Sequence, residues 1–181
     1  AVRAGTRLPV LAKMTPNITD ILLPARAAVA GGATGISAIN TVKSISSLDD
    51  CQQIQPDIAG YSCISGYSGK AVKPIALRFV GELACCPELQ GVPISGIGGI
   101  ENWRDALDFI LLGAGNVQVT TSIMQYGYRI IDDLKDGLCS YMRKRGMQQL
   151  SSLVGGALER LRTSRELDRN SIVYPVFDQN R

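Results

Sequence analysis

The chain has 181 residues, 45% hydrophobic and 19% charged, with a net charge of +3, enough for one domain with a real core and without the basic block of a nucleic-acid binder. No apolar run is long enough to cross a membrane, and none of the five cysteines forms a C-x-x-C pair, so no disulfide framework or zinc site is expected and a reduced, cytoplasmic setting is. Histidine is absent, which excludes Ser-His-Asp and Cys-His catalysis and leaves lysine, carboxylates, hydroxyls, thiols or a bound cofactor.

The opening A-V-R-A-G-T-R reads as the end of a helix, not as the start of a signal peptide. Residues 8–14 (L-P-V-L-A-K-M) read as a short buried strand with Lys13 at its C-terminal end. After the turn Thr15-Pro16-Asn17, Thr19 is the expected N-cap of a helix over 20–30, whose Ile21, Leu22, Ala25, Ala28 and Val29 share one face. Gly31-Gly32 ends it. Residues 35–40 (G-I-S-A-I-N) read as a second buried strand leading into Thr41. From 42 to 73 no period is visible, and a loop of that length in a compact domain is more often functional than not. Pro74 is placed to open a third helix running to 86, with Pro87 at its exit.

Then comes the most organised stretch: a strand at 92–95, glycines at 96, 98 and 99, a helix over 102–112 with Asn102 as N-cap, a break at Gly113, and a strand at 116–120. Glycines where a strand hands over to a helix let backbone N–H groups approach an anion. A helix over 128–145 follows, stopped by Gly146, then a short helix at 147–153, a charged run at 160–169 and an extended segment at 171–177.

The strand–loop–helix unit recurs four times without an intervening hairpin, which argues for a parallel sheet. Four units are half of a TIM barrel; an open doubly wound sheet is the alternative. The polar residues favour the half-barrel, because Lys13, Asn40-Thr41, Gly98-Gly99 and Thr120-Thr121 all sit at strand C-terminal ends, the active face of a barrel. The expected division is a half-barrel over 1–146 and a C-terminal extension over 147–181.

Lys13 reads either as a functional cation, in a Schiff base or beside a cofactor, or as a lysine snorkelling from a strand edge. Asn40-Thr41 suits a planar amide ligand, against the alternative of a local Asx turn. Ser68-Gly69 and Gly98-Gly99 each suit a phosphate; joined by Thr120-Thr121 on one face they are more specific than either alone. The cysteines, Trp103 and Tyr126 read as packing or surface residues.

Five ordered motifs, A-K-M-T-P-N-I-T-D-I, G-I-S-A-I-N-T-V, G-Y-S-G-K-A-V-K-P-I-A-L, P-I-S-G-I-G-G-I and G-A-G-N-V-Q-V-T-T, together resemble the flavin-dependent dihydroorotate and dihydropyrimidine dehydrogenases, which are FMN-binding TIM barrels. W-R-D-A, the aromatic Tyr126-Gly127-Tyr128 and the tail V-Y-P-V-F-D-Q-N-R bring the resemblance nearest to the catalytic subunits of bacterial NAD-dependent dihydropyrimidine dehydrogenases.

The resemblance implies that Lys13 lies beside the flavin, and that Gly69, Ile97, Gly98, Gly99, Thr120 and Thr121 hold the FMN ribityl phosphate. It implies that Asn40 and Thr41 bind the pyrimidine base, uracil or thymine. No catalytic residue is expected in this chain: the general-acid cysteine belongs to the upstream barrel half, and Cys51, Cys63, Cys85 and Cys139 do not align with it. Iron–sulfur clusters, in a ferredoxin-like module after the Tyr-Pro-Val segment, and NAD are expected on segments outside this chain or on an NAD-binding partner subunit, in a homo- or hetero-oligomer. The long loop departs from the family at Ile64-Ser65 and Lys70, where a glycine pair and a proline are expected. A dihydroorotate-type oxidase and a non-catalytic barrel remnant acting in assembly are the rival readings.

Overall fold

The computed structural model describes residues 1–163 and 166–167; the extended segment expected at 171–177 lies outside them. In chain order the elements are β1 (Leu11–Met14), α1 (Leu22–Ala30), β2 (Gly35–Ala38), β3 (Val42–Ser44), β4 (Ser47–Leu48), β5 (Ile54–Gln55), β6 (Ser65–Tyr67), α2 (Lys73–Cys85), β7 (Ile94–Ile97), α3 (Trp103–Leu111), β8 (Asn116–Gln118), α4 (Thr121–Tyr126) and α5 (Arg129–Lys144). Short 3-10 turns lie between several of them, including Lys70–Val72 just before α2 and Leu150–Leu153 after α5.

The main sheet is parallel throughout, in the order β1-β2-β7-β8. That order never reverses. A doubly wound sheet needs a reversal, because its second half winds back over the other face. Without one, right-handed crossovers stack every helix on the same side. This is a half-barrel of four parallel strands, helices outside and strand C-terminal ends together.

Period-two alternation assigns the two faces. Ala12, Met14, Ile36, Ala38, Ile94, Gly96 and Val117 fall on the side that α1, α2 and α3 cover, and most are buried. Phe79 of α2 and Phe109 of α3, 1% and 0% exposed, fill the layer between helices and sheet. Fully burying such a side chain contributes roughly 1.5–3 kcal/mol. Phe109 lies so close to β7 that a Cβ on Gly96 would sit 2.5 Å from its ring. Gly96 therefore serves packing, while Gly98 and Gly99, both with positive φ, follow the C-terminal end of β7.

On the other face, Leu11, Lys13, Ser37, Ser95, Asn116 and Gln118 alternate with the buried set. β1 is thus not the wholly buried strand its composition suggests. It is an edge strand with one uncovered face, which leaves Leu11 50% exposed and Lys13 exposed as well. Nor does the strand reach back to Leu8, which lies outside β1 and is itself exposed.

The long segment after β2 is not featureless. It forms two antiparallel ribbons, β3 with β6 and β4 with β5, standing apart from the main sheet. Strands of two or three residues are too short to display a period, which is why the sequence concealed them and why an uninterrupted run of βα units was expected. Helix starts also shift. Thr19 does not cap α1; the helix begins at Leu22, whose N–H is taken by Asp20 Oδ1 at 2.8 Å. α2 starts at Lys73, placing Pro74 second, still within the turn that needs no amide donor. After α5 the chain returns: Leu153 packs with Leu107 and Ile110, and the N–H groups of Gly155 and Ala157 donate to the carbonyls of Ile110 and Leu111 at the end of α3, both at 3.0 Å. The orphan carbonyls of that helix end are satisfied in this way.

Candidate functional site

The C-terminal ends of β1, β2, β7 and β8 enclose one open cleft of about 140 Å³, completed by Tyr67, Ser68 and Gly69 from the inserted segment. Lys13, Asn40, Thr41, Gly69, Ile97, Gly98, Gly99, Thr120 and Thr121, the residues singled out in the sequence, all line it. Lys13 is the one charged side chain in the lining. The lining holds no carboxylate, thiol or imidazole; its polar side chains are the Lys13 ammonium, the Asn40 and Gln118 amides, the Tyr67 phenol and the Ser and Thr hydroxyls, a set suited to binding and polarising a ligand.

One end is made of backbone and hydroxyls. Gly69 has φ 84° and leads into the 3-10 turn, with the Val72 N–H donating back to the Gly69 carbonyl at 3.2 Å. Gly99 has φ 70°, and a Cβ there would lie 2.7 Å from the Gly69 carbonyl oxygen and 2.9 Å from Lys73 Cβ. The two loops meet backbone against backbone, and only glycine permits it. Across them Ser68 Oγ and Thr121 Oγ1 pair at 3.2 Å, and Ser122 Oγ donates to the Ile100 carbonyl at 2.6 Å. Residues 120–122 do not continue a strand. β8 stops at Gln118 and Thr121 opens α4, whose N-cap residue Thr120 makes no side-chain cap. In barrels, the loops after the last two strands and the N-terminus of a short extra helix form a recurrent phosphate site.

The N-terminus of α3, by contrast, is closed. Asn102 Oδ1 accepts the Arg104 and Asp105 N–H groups at 2.9 and 3.2 Å, while Asp105 Oδ2 accepts those of Glu101 and Asn102 at 3.0 and 3.1 Å. Asn102 is the expected N-cap, and the reciprocal Asp105 makes it a capping box that consumes the donors an anion would need. The expectation that the helix after Gly98-Gly99 would itself grip a phosphate is thereby corrected: its amides are spent internally.

Asp105 also holds Lys73. The Lys73 ammonium lies 2.5 Å from Asp105 Oδ1 and 2.6 Å from Asp108 Oδ2, tying the start of α2 to α3 and pressing the Gly69 loop onto Gly99. Burial opposes the lysine's charge, but the hydrogen bonds to Asp105 and Asp108 outweigh it and hold its pKa above the ordinary lysine value. Burial likewise works against ionised Asp105, and the Lys73 bond with the Glu101 and Asn102 amides overcomes it, keeping its pKa below the usual carboxylate value.

The other end of the cleft carries Lys13, Asn40 and Thr41. The Asn40 N–H donates to the Met14 carbonyl at 2.8 Å, and its side-chain Oδ1 accepts the Thr41 N–H at 2.8 Å. The local-turn reading of Asn40 is therefore correct for its oxygen, and the side-chain NH2 is the group left to a ligand. Asn17, which the sequence reading passed over as a turn residue, anchors this loop. Its Nδ2 donates to the Thr41 carbonyl at 3.0 Å and its Oδ1 accepts the Lys43 N–H at 2.8 Å. Gln118 was also missed, although it lines the cleft and donates to Ser37 and Ser95. The only hint was serine at the same place in G-I-S-A and P-I-S-G.

Residues 1–142 match the family model described as dihydroorotate dehydrogenase. The chain belongs to that family. Among curated relatives it is 57% identical over 176 residues to the NAD-dependent dihydropyrimidine dehydrogenase subunit PreA of Escherichia coli strain K12, covering 97% of this chain and 43% of that protein. It is 40% identical over 159 residues to the catalytic subunit of dihydroorotate dehydrogenase B (NAD(+)) of Pyrococcus horikoshii, covering 88% of this chain and 50% of the relative. The chloroplastic dihydropyrimidine dehydrogenase (NADP(+)) of Arabidopsis thaliana is 40% identical over 170 residues, 92% of this chain and 40% of its own length. The chain thus spans half or less of the length of these curated relatives. Among the described residues no helix is long and apolar enough to cross a membrane, and no group of three or more His, Cys, Asp or Glu is arranged to hold a metal ion.

Proposed function

We propose that this chain is the cofactor-holding half-barrel of a flavin-dependent enzyme that reduces the 5,6-double bond of uracil or thymine, linked to NAD. The observation that carries the proposal is the ordering of the cleft, with a cation and an amide at one end and glycine backbone with hydroxyls at the other. A flavin mononucleotide has matching ends, a ring that gains negative charge on reduction and a phosphate. The residues present fit it: the close approach of Gly69 and Gly99, where a Cβ on Gly99 would collide, forms the cradle a phosphate tail needs.

When bound, FMN supplies the hydride chemistry. Lys13 places a positive charge on the open sheet face, where it stabilises negative charge developing on a planar ring. The Asn40 NH2 and the Thr41 hydroxyl orient the amide edges of a pyrimidine. Gly69, Ile97, Gly98, Gly99, Thr120 and Thr121 hold the phosphate end. With no cysteine in the cleft lining, the proton that completes the reduction comes from a thiol outside this chain. Two relatives are subunits of NAD-linked enzymes by name, which supports a partner subunit; in this reading that partner binds NAD and electrons arrive through iron–sulfur clusters outside this chain, in a cytoplasmic assembly.

The 40% identity to catalytic subunits of dihydroorotate dehydrogenase B favours a second reading, oxidation of a carboxylated dihydropyrimidine. One experiment separates the two. The full-length protein containing this chain, purified with its flavin, is assayed for flavin reoxidation by uracil and for flavin reduction by dihydroorotate. Reoxidation by uracil alone is the expected result; reduction by dihydroorotate alone selects the second reading, and a colourless protein removes both.

A further inference from the structure

We infer that Gln118 is a positioning residue for Lys13, acting through Ser37 along a polar row that crosses the open face of the sheet. Strand register supplies the row. Lys13 pairs with Ser37, Ser37 with Ser95, and Ser95 with Asn116, so these four residues stand side by side on β1, β2, β7 and β8. Gln118 stands two residues after Asn116 on the same face.

The hydroxyls in the middle are buried, Ser37 at 3% exposure and Ser95 at 2%. Buried hydroxyls require partners. Gln118 supplies both: its Nε2 donates to Ser37 Oγ and to Ser95 Oγ, each at 2.8 Å. The Ser95 hydroxyl in turn donates to Asn116 Oδ1. Both N–H bonds of the Gln118 amide are thus committed. Two acceptors of the row remain uncommitted, the Gln118 side-chain Oε1 and the second lone pair of Ser37 Oγ, the latter on the strand next to Lys13. An ammonium group has three donors and no acceptor. Lys13 is the next residue in the row, lines the same cleft as Gln118, and has no ion-pair partner among the described residues. A free lysine at a strand edge swings into water. Acceptors held rigidly beside it keep its charge over the cleft.

What Lys13 serves there rests on the flavin reading above; the hydrogen-bonded row does not. The test uses the full-length protein and two readouts. In flavin-free protein, acylation of each lysine is followed by mass spectrometry in the parent, Gln118→Leu and Ser37→Ala. Lys13 is expected to react several-fold faster in both variants, with Lys43, Lys70 and Lys135 unchanged. In flavin-loaded protein the reduction potential is measured for Lys13→Ala, Gln118→Leu and the double variant. The potential is expected to fall in each single variant, and the double variant to match Lys13→Ala alone, because a positioning residue has nothing left to position. Additive shifts, or unchanged Lys13 labelling, overturn the inference. Should Gln118→Leu fail to fold, Ser37→Ala alone, and in double combination with Lys13→Ala, carries both readouts. Protein that binds no flavin defeats the flavin reading and leaves the labelling arm to judge the row.

Discussion

Glycines that look alike in the sequence are separated by their neighbours. Gly96 faces Phe109, and Gly99 faces the Gly69 carbonyl. An alanine at position 96 drives a methyl into a buried ring in the centre of the fold, and overpacking of this kind costs about 1–3 kcal/mol. Gly96→Ala is therefore expected to lower the unfolding midpoint in urea with little change in flavin affinity once folded. At position 99 an alanine meets backbone in a left-handed conformation that itself costs about 1–2 kcal/mol. Relief requires the Gly69 and Gly99 loops to part. Gly99→Ala is expected to weaken flavin binding at least about tenfold by fluorescence titration, the equivalent of roughly 1.4 kcal/mol. Equal effects of the two substitutions on affinity would show that the division of labour is wrong. The cleft residues themselves were legible in the sequence because special backbone conformations demand glycine and strand ends display polar residues. Asn17 and Gln118 were not legible, because their roles are defined by partners 23 or more residues away.

Among the elements, the junction of α2 and α3 carries the most concentrated electrostatics. Lys73 is 18% exposed at its side chain and Asp105 9%, so removing one partner leaves a charge poorly solvated. Lys73→Met is expected to destabilise by about 3 kcal/mol in denaturant titrations. The pH dependence follows from the direction of the two shifts. Asp105 is held below its ordinary value, so its contribution is complete above about pH 4 and is lost as pH falls through the folded value. Lys73 is held above its ordinary value, so its contribution is complete below about pH 10 and is lost as pH rises through the folded value. Stability is therefore expected to be level through neutrality for this pair. Asp105→Asn should flatten the acid limb of a stability–pH curve, and an unchanged limb would contradict the assignment. Helix α3 was legible from N-W-R-D because capping chemistry is local. Helix α4 was not, because six residues beginning at Thr121 hold no full amphipathic pattern.

Across the whole molecule, burial is unequal. The central strands β2 and β7 are paired on both sides and packed by Phe79 and Phe109, whereas the β4–β5 ribbon is exposed or half-buried throughout. Local opening free energies follow burial. Hydrogen exchange on the full-length protein is expected to find the β2 and β7 amides exchanging orders of magnitude more slowly than those of 47–55; similar rates would mean that the ribbon is covered in the assembled protein. The half-barrel was legible because the βα alternation and the polar strand ends agree. The uncovered sheet face was not, because an apolar run such as L-P-V-L-A-K-M reads as buried whichever side is open.

The inserted ribbons hang between two fixed posts. At one end Asn17 holds Thr41 and Lys43; at the other Ser68 meets Thr121. Between those posts the β4–β5 ribbon, exposed or half-buried and separate from the parallel sheet, can vary in sequence without disturbing either that sheet or the glycine grip. Descendants of this chain therefore have a region where mutation explores new substrate contacts at little risk to folding. Changes of specificity in such a lineage are expected to accumulate between residues 45 and 64, while the posts and Gly66, which packs on Thr41, stay as they are.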